Sequence, residues 1–549
     1  MNKGEGYPMW IQPIQLQKQS ELMKQYRQQA HEVLDKFHYN PFESSDYQQR
    51  CEEINERSYQ RERLAEHLRF VNEQWGASDD TLANIERLKQ PNSVVVVGGQ
   101  QAGLLTGPLY TIHKIVSILV MAREQEAALG VPVIPIFWIA GEDHDYEEIN
   151  HVYMPQSPRM KKFRIMQKQL TKASISEVEM DYDHVITWLD RLFAQMKETS
   201  YTTEVYQFIK EKLDQSNSFV DFFAKLTTAL FAEKGLVLLD AHHPQLRTME
   251  SDYFKQMIHH QSEISKGVAE ALNESSRQGY VINLDVDIQD GHLFYHHNGD
   301  RILLVRNQDG LWEGKNGECS FTLEEMLDIA EHEPSKLSNN VVTRPLMQDL
   351  LLPTLAFVGG PGEIAYWSVL KPAFESVGVQ MPPVVPRKSI TLLDRKSEKC
   401  LNRHMIDVEK AISFGVAEQK NQWIAMQSYP PIEQLSDEVK KAIERAHRPL
   451  KEKAKEIQAD LGQLAEKNLF HLFRDVEFLQ ERMESALQEK YRSELEMFDT
   501  LDVIVNPEDG LQERMWNILP WMNEYGLELP NRLCEQSFDV HDSHYVVYL

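Results

Sequence analysis

The feature that most restricts the fold is a run of valines closed by glycines. Ser93-Val94-Val95-Val96-Val97-Gly98-Gly99 is too apolar and too β-branched for a surface element. It reads as a strand buried on both faces. Pro108 follows the glycine loop and opens a helical stretch from 109 to about 129, proline being well suited to the first helical position. Residues 131–139 form a second apolar strand that ends at Gly141-Glu142-Asp143-His144-Asp145. Strand, glycine loop, helix and strand make a βαβ unit, and such units build parallel sheets.

The alternation recurs. Residues 236–240 read as a strand ending in Ala241-His242-His243-Pro244. Residues 352–358 read as another, ending in Gly359-Gly360-Pro361-Gly362 before a helix from Glu363. Val384-Val385-Pro386 is a last short strand leading to Arg387-Lys388-Ser389. Residues 292–297 and 302–306 flank Asn298-Gly299-Asp300 as a hairpin of an inserted subdomain. The flanks differ in texture. Residues 14–90 are rich in Gln, Glu, Arg and Leu and read as helical. A helical pattern returns after 389. Ile443, Ala446, Leu450, Ala454, Ile457, Leu461 and Leu464 fall three and four apart, as do Leu472, Val476, Leu479, Met483 and Leu487. This predicts an antiparallel coiled coil broken near Pro449 and Gly462; two ordinary amphipathic helices on a core are the alternative. The run Tyr545 to Tyr548 is β-like and suits a return to the core.

Bulk properties narrow the function. A chain of 549 residues suggests two to four domains. The formal charge of −26, with no Lys/Arg cluster of useful length apparent, argues against a nucleic-acid partner. Cys51, Cys319, Cys400 and Cys534 are scattered, which speaks against a disulfide framework or a cysteine zinc site and fits a reducing compartment. Residues 1–6 lead into no apolar leader, and no apolar run approaches 20 residues. A cytoplasmic protein without a membrane span is expected.

Three loops carry the candidate chemistry. The first, Gly98 to Gly107, joins strand to helix and contains Gly99, Gln100, Gln101, Thr106 and Gly107. Glycines there admit close backbone approach, and a helix N-terminus favours anions. It is neither GxGxxG nor a P-loop, and a tight strand–helix turn is the plain alternative. Tyr110, His113 and Lys114 share one helical face above it, placed to neutralise a transferring group. In the second loop, Glu142, Asp143, His144 and Asp145 stand at a strand's carboxyl end, where ligands of open α/β sheets bind. His144 is a candidate base with a raised pKa, the alternative being that the acids only cap a helix. The third loop holds Gly360, Gly362 and Glu363, with Tyr366 one turn on. Arg344 precedes its strand and suits a carboxylate or a structural ion pair. Arg387 and Lys388 form a basic patch suited to polyphosphate. No metal-ligand set is expected.

Together the segments VVVVGGQQAGLLTGPLYTIHK, FWIAGEDHDYEEIN, FVGGPGEIAYW and VVPRKSITLLD, in that order and spacing, resemble the BshC family, and the likeness extends through NPEDGLQERMWN across essentially the whole chain. The resemblance implies an α/β fold: a Rossmann-like parallel-sheet core related to class I aminoacyl-tRNA synthetases, with inserted connecting-peptide subdomains and a long α-helical coiled-coil arm that dimerises. The corresponding division is a helical segment over 1–90, a core over 91–390 with insertions at 150–230 and 245–345, an arm over 391–505 and a returning segment over 506–549. The signature sequences of those synthetases are not recognisable; Thr106-Gly107-Pro108-Leu109 and Arg387-Lys388-Ser389 stand in their places. The implied activity joins L-cysteine to glucosaminyl-malate, the last step of bacillithiol synthesis.

Amide formation from a carboxylate needs activation, which makes ATP, with accompanying Mg, the expected co-substrate. His113, Lys114, Arg387 and Lys388 would meet phosphate, Glu142 or Asp143 the cysteine amine, His144 the attacking nitrogen and Arg344 the malate. A nucleotidyltransferase-like enzyme acting on another small acid, and a non-enzymatic nucleotide-binding coiled-coil dimer, are the competing expectations.

Overall fold

The structure is a computed structural model that describes residues 9–169 and 171–549. The opening residues 1–6, read above as lacking a leader, lie outside the described residues.

The valine run is strand β2 (Val94–Gln100), central in a five-stranded sheet. Its companions are β3 (Val133–Ile139), β6 (Val237–Asp240), β12 (Thr354–Gly359) and β13 (Val384–Pro386), in the order β13-β12-β2-β3-β6 with every pair parallel. Val94 and Val96 enter one apolar core, Val95 and Val97 the other. The period of two therefore carries apolar residues to both faces, which is why the strand reads as continuous valine rather than alternating. Helix α1 (Leu109–Leu129) covers one face and is buried all round from Thr111 to Ala122. Because the strands are parallel, their carboxyl ends share one rim, and all three glycine loops leave the sheet there.

Two insertions flank the sheet. Between β3 and β6 lie an antiparallel ribbon, β4 (His151–Gln156) with β5 (Arg159–Arg164), and four α-helices. Between β6 and β12 lie α2 (Pro244–His259), a second long helix and a sheet of order β10-β9-β8-β7-β11. Its strands are β7 (Asp290–His297), β8 (Asp300–Arg306), β9 (Trp312–Gly314), β10 (Ser320–Phe321) and β11 (Leu337–Asn339). The β7–β8 hairpin turns where expected, with Asn298 and Gly299 both at positive φ, as a two-residue hairpin turn demands. Helices α3 (Thr343–Leu351) and α4 (Pro361–Trp367) bracket β12.

Two expectations need correction. The segment assigned to residues 1–90 as helical carries, ahead of its helices, a strand, β1 (Trp10–Ile14). It pairs antiparallel with β15 (His544–Tyr548), which runs parallel to β14 (Ile390–Leu393). Trp10 stacks on Tyr548 with ring centroids 3.6 Å apart, a cross-strand pairing no local pattern announces. The arm is an antiparallel helix hairpin, α5 (Ile432–Ile457) and α6 (Ala459–Lys490), but Pro449 lies inside a continuous helix and the break falls at Gln458. The apolar run from Ile443 to Leu464 thus crosses the turn, because both helices present the same seam. Gly462 lets them approach: a Cβ there would stand 2.5 Å from Lys455 Cγ. Leu450, Ile457 and Leu464 are 61–67% exposed and line, with Ala454 and Leu461, an apolar groove of about 620 Å³. No helix among the described residues is long and apolar enough to cross a membrane.

Candidate active site

The first loop is bent into an unusual backbone. Leu105, Thr106 and Gly107 all have positive φ (49°, 72° and 71°). Glycine tolerates this, but a leucine and a β-branched threonine do so only under outside constraint. The constraint comes from a distant segment. Asn517 Nδ2 donates to Leu105 O at 2.9 Å and Gly107 O at 2.6 Å, and Leu109 N donates to Trp516 O at 2.7 Å. Thr106 is fully buried and its hydroxyl has no partner. Gly99 serves strand packing, since a Cβ would lie 2.7 Å from Trp138 O.

His113 and Lys114 leave α1 inward, both at most 1% exposed, while Tyr110 is half-buried. Lys114 Nζ donates to Gly99 O (2.6 Å), Gln100 Oε1 (3.2 Å) and Glu363 Oε2 (2.5 Å), so one ammonium ties the first loop to the third. Burial pushes its pKa down and Glu363 opposes; the net shift is downward. Glu363 also accepts from Gly360 N at 2.8 Å. A Cβ on Gly360 would stand 3.3 Å from Arg387 Nε, whereas Gly362 faces open space.

Arg387 and Lys388 are not the free basic patch expected. Both are at most 8% exposed. Arg387 holds Glu513 through two hydrogen bonds, Nη1 at 2.6 Å and Nη2 at 2.7 Å, and Ser389 Oγ adds a third at 3.0 Å. Lys388 Nζ donates to Phe538 O at 3.3 Å, and burial brings its pKa to about 8. A desolvated guanidinium demands a counter-charge, and Glu513 supplies it. Burial raises the Glu513 carboxyl, but Arg387 and His113 outweigh that and hold it well below the ordinary value. His113 Nδ1 lies 3.0 Å from the same carboxylate while Nε2 is buried without a partner. Burial lowers the histidine's pKa despite Glu513. A neutral imidazole with Nδ1–H on the carboxylate leaves Nε2 as a bare acceptor.

The second loop divides. Glu142, offered above as an amine anchor, is buried and committed to structure. Arg247 of α2 donates to it and also to Glu250 at 2.8 Å, and Asn339 N lies 3.4 Å away. Burial raises the Glu142 carboxyl, and Arg247 with Arg301 more than reverses this. Asp143 and His144 face outward, each about one-third exposed, and Asp145 is exposed. Gln101 Nε2 donates to Asp143 Oδ2 at 2.7 Å, joining the first and second loops. Arg301, stacked over Phe294 at 3.8 Å, places Nη1 3.3 Å from His144 Nδ1. The raised pKa expected for His144 is reversed: burial, then Arg301, pushes it down, so the imidazole is neutral near pH 7. Arg344 meets a phenol rather than an acid, donating to Tyr366 OH at 2.6 Å.

The three loops therefore meet through Gln101–Asp143 and Lys114–Glu363, with Arg387 beside Gly360. Glu142 and Thr106 stand behind that surface. Sequence reasoning missed Arg247, Arg301, Glu513 and Asn517; the last two lie in the NPEDGLQERMWN segment, where nothing local sets Glu513 apart from Glu508 and Asp509. Among the described residues no group of three or more His, Cys, Asp or Glu could hold a metal ion.

A family description, Bacillithiol biosynthesis BshC, N-terminal Rossmann-like domain, matches residues 9–388, and its C-terminal coiled-coil counterpart matches 390–549. The chain belongs to the BshC family. Three relatives carry the name "Putative cysteine ligase BshC". That of Oceanobacillus iheyensis is 39% identical over 541 residues, covering 98% of this chain and 99% of its own. That of Geobacillus sp. (strain WCH70) is 42% identical over 501 residues, covering 91% and 92%. That of Bacillus cereus (strain B4264) is 39% identical over 503 residues, covering 92% and 93%. The BshC chain described here is accordingly an enzyme of the ligase class, with a Rossmann-like domain and a coiled-coil domain.

Proposed function

We propose that this enzyme forms the amide bond between L-cysteine and the amine of glucosaminyl-malate, giving bacillithiol, with ATP activating the cysteine carboxylate. The observation that carries the reading is the buried rim network in which Lys114 and Arg387, each held by one carboxylate, stand beside a glycine loop at a helix start. ATP supplies a phosphoanhydride whose cleavage makes the carboxylate reactive, and Mg would accompany it. The residues fit such a group: backbone N–H groups of the first loop and the two cations meet anionic oxygens, while His113 Nε2, a bare acceptor, suits a hydroxyl or amine donor of the nucleotide rather than its phosphates. Glu363 and Glu513 keep those cations compensated until a ligand competes for them.

His144, neutral and partly exposed, is suited to take the proton lost by the attacking nitrogen. Asp143, as exposed as His144 beside it, suits the cysteine ammonium. Arg301, beside His144, and Arg344, whose hydrogen bond goes to a neutral phenol, are the candidates for a malate carboxylate. The exposed seam of α5 and α6 supports a homodimer formed through the arm. Four free cysteines, three of them buried, suit a cytoplasmic setting.

The test is incubation with ATP, cysteine and glucosaminyl-malate, with products read by mass spectrometry. Bacillithiol with AMP release is the expected result. Product without nucleotide turnover refutes the activation, and no product in a complete assay refutes the ligation.

A further inference from the structure

The chain carries 84 acidic and 58 basic residues, yet residues 151–176 contain no Asp or Glu and six cations: Arg159, Lys161, Lys162, Arg164, Lys168 and Lys172. Sequence reading passed over this stretch because only Lys161 and Lys162 are adjacent. The fold gathers it. Strands β4 and β5 pair across their full length, placing Lys161 opposite Met154 and Lys162 opposite Tyr153. All six cations are exposed. Among the described residues only Arg164 of the six has an ion-pair partner, Glu147.

The stretch is tied to the rim at both ends. It leaves the second loop through the short helix Tyr146–Ile149. It returns to lace over the same loop: Ser174 Oγ donates to Glu142 O at 3.1 Å, Ile175 N to Asp143 O at 2.7 Å and Ser176 N to Gly141 O at 3.0 Å. Tyr153 bridges to Trp516, whose carbonyl receives Leu109 N at the first loop. Lys172 O accepts from Arg301 N at 3.1 Å, and the Lys172 charge is felt at His144.

A chain of charge −26 repels anions from most directions. We propose that the acid-free ribbon is an electrostatic entrance that draws a small polyanion, bearing clustered phosphate or carboxylate oxygens, to the rim. It rests on the reading that the rim takes anionic substrates, not on which bond is made there. A small ligand fits better than a nucleic acid, because strands of six residues span only about 20 Å and the chain as a whole carries a charge of −26.

The experiment compares the full chain with Lys161→Glu/Lys162→Glu, and with a control of equal charge change, Lys396→Glu/Lys399→Glu, on the helix Arg395–His404. Inorganic tripolyphosphate and malate are titrated separately by calorimetry at low and at high salt, so the two arms tell which oxygen chemistry is gathered. At low salt the ribbon variant is expected to bind one or both about tenfold more weakly than wild type and control. The gap is expected to close in high salt, where screening acts within a few ångströms. The proposal is overturned if the ribbon variant matches the control, if the deficit persists in high salt, or if a short RNA duplex binds through the same lysines more tightly than tripolyphosphate. Salt-sensitive, lysine-dependent tripolyphosphate binding in a protein that makes no bacillithiol would sink the proposed reaction and leave the entrance standing.

Discussion

Glu513→Ala should be among the most damaging single changes outside the apolar core. Its side chain is 2% exposed and that of Arg387 is 5% exposed, with two hydrogen bonds of 2.6 and 2.7 Å between them. Removing the carboxylate leaves a buried guanidinium uncompensated, at a cost of about 3–5 kcal/mol. Ser389 and His113 lose an acceptor as well. Arg387→Ala should cost a comparable amount. The double variant should lose less than the sum, by roughly 2–3 kcal/mol, because the second change removes the stranded partner. Urea unfolding followed by tryptophan fluorescence reads the cycle, Trp516 lying three residues from Glu513. Acid gives a second reading. The folded pKa of Glu513 lies below its ordinary 4.5, so the stability it contributes is present above about pH 4.5 and is lost as pH falls toward the folded value. The deficit of Glu513→Ala should therefore shrink in that window. A single variant within 1 kcal/mol of wild type at neutral pH, or a strictly additive cycle, would refute the reasoning.

Three further outcomes can be checked. His544, fully buried between Ser389 and Thr391, has its pKa lowered from 6.5 to about 3. Protons then favour the unfolded chain, so stability is full above pH 6.5 and falls by about 1.4 kcal/mol per unit down to about pH 3; His544→Asn should flatten that slope in urea titrations at stepped pH. Asn517→Ala removes both bonds that clamp Leu105 and Gly107; it should cost about 1–3 kcal/mol and weaken ATP binding in calorimetry more than it lowers kcat, an unchanged affinity counting against a nucleotide at that loop. Leu450→Lys/Leu464→Lys places charges in the exposed seam of the arm and should yield monomers by light scattering with the core's melting temperature unchanged; dimers that persist would place the subunit contact elsewhere.

The parallel sheet was legible because its strands are buried on both faces and end in glycine, so neither amphipathic alternation nor a long helix competes with that reading. The loops were legible for the same reason, and the sheet's parallel topology then forces them onto one rim. What the pattern concealed was pairing over distance. Arg387 and Lys388 read as a free basic patch because Glu513 stands 126 positions beyond Arg387. Glu142 read as an open anchor because Arg247, which neutralises it, arrives on another helix. The seam misplaced the arm's turn because apolar spacing continues unbroken through a hairpin. His144 went the wrong way in pKa because burial, and then Arg301 in space, outweigh the acids beside it in sequence.

The clamp from Asn517 to the first loop spans 412 positions for Leu105 and 410 for Gly107. A ribosome adding about 5–20 residues per second needs on the order of 20–80 s to cover that interval. Throughout it, the nascent Rossmann-like domain can lay down its sheet but has no means of holding Leu105 and Thr106 in their left-handed turn. The shape of the first loop thus arrives late, as a final latch set by the last tenth of the chain.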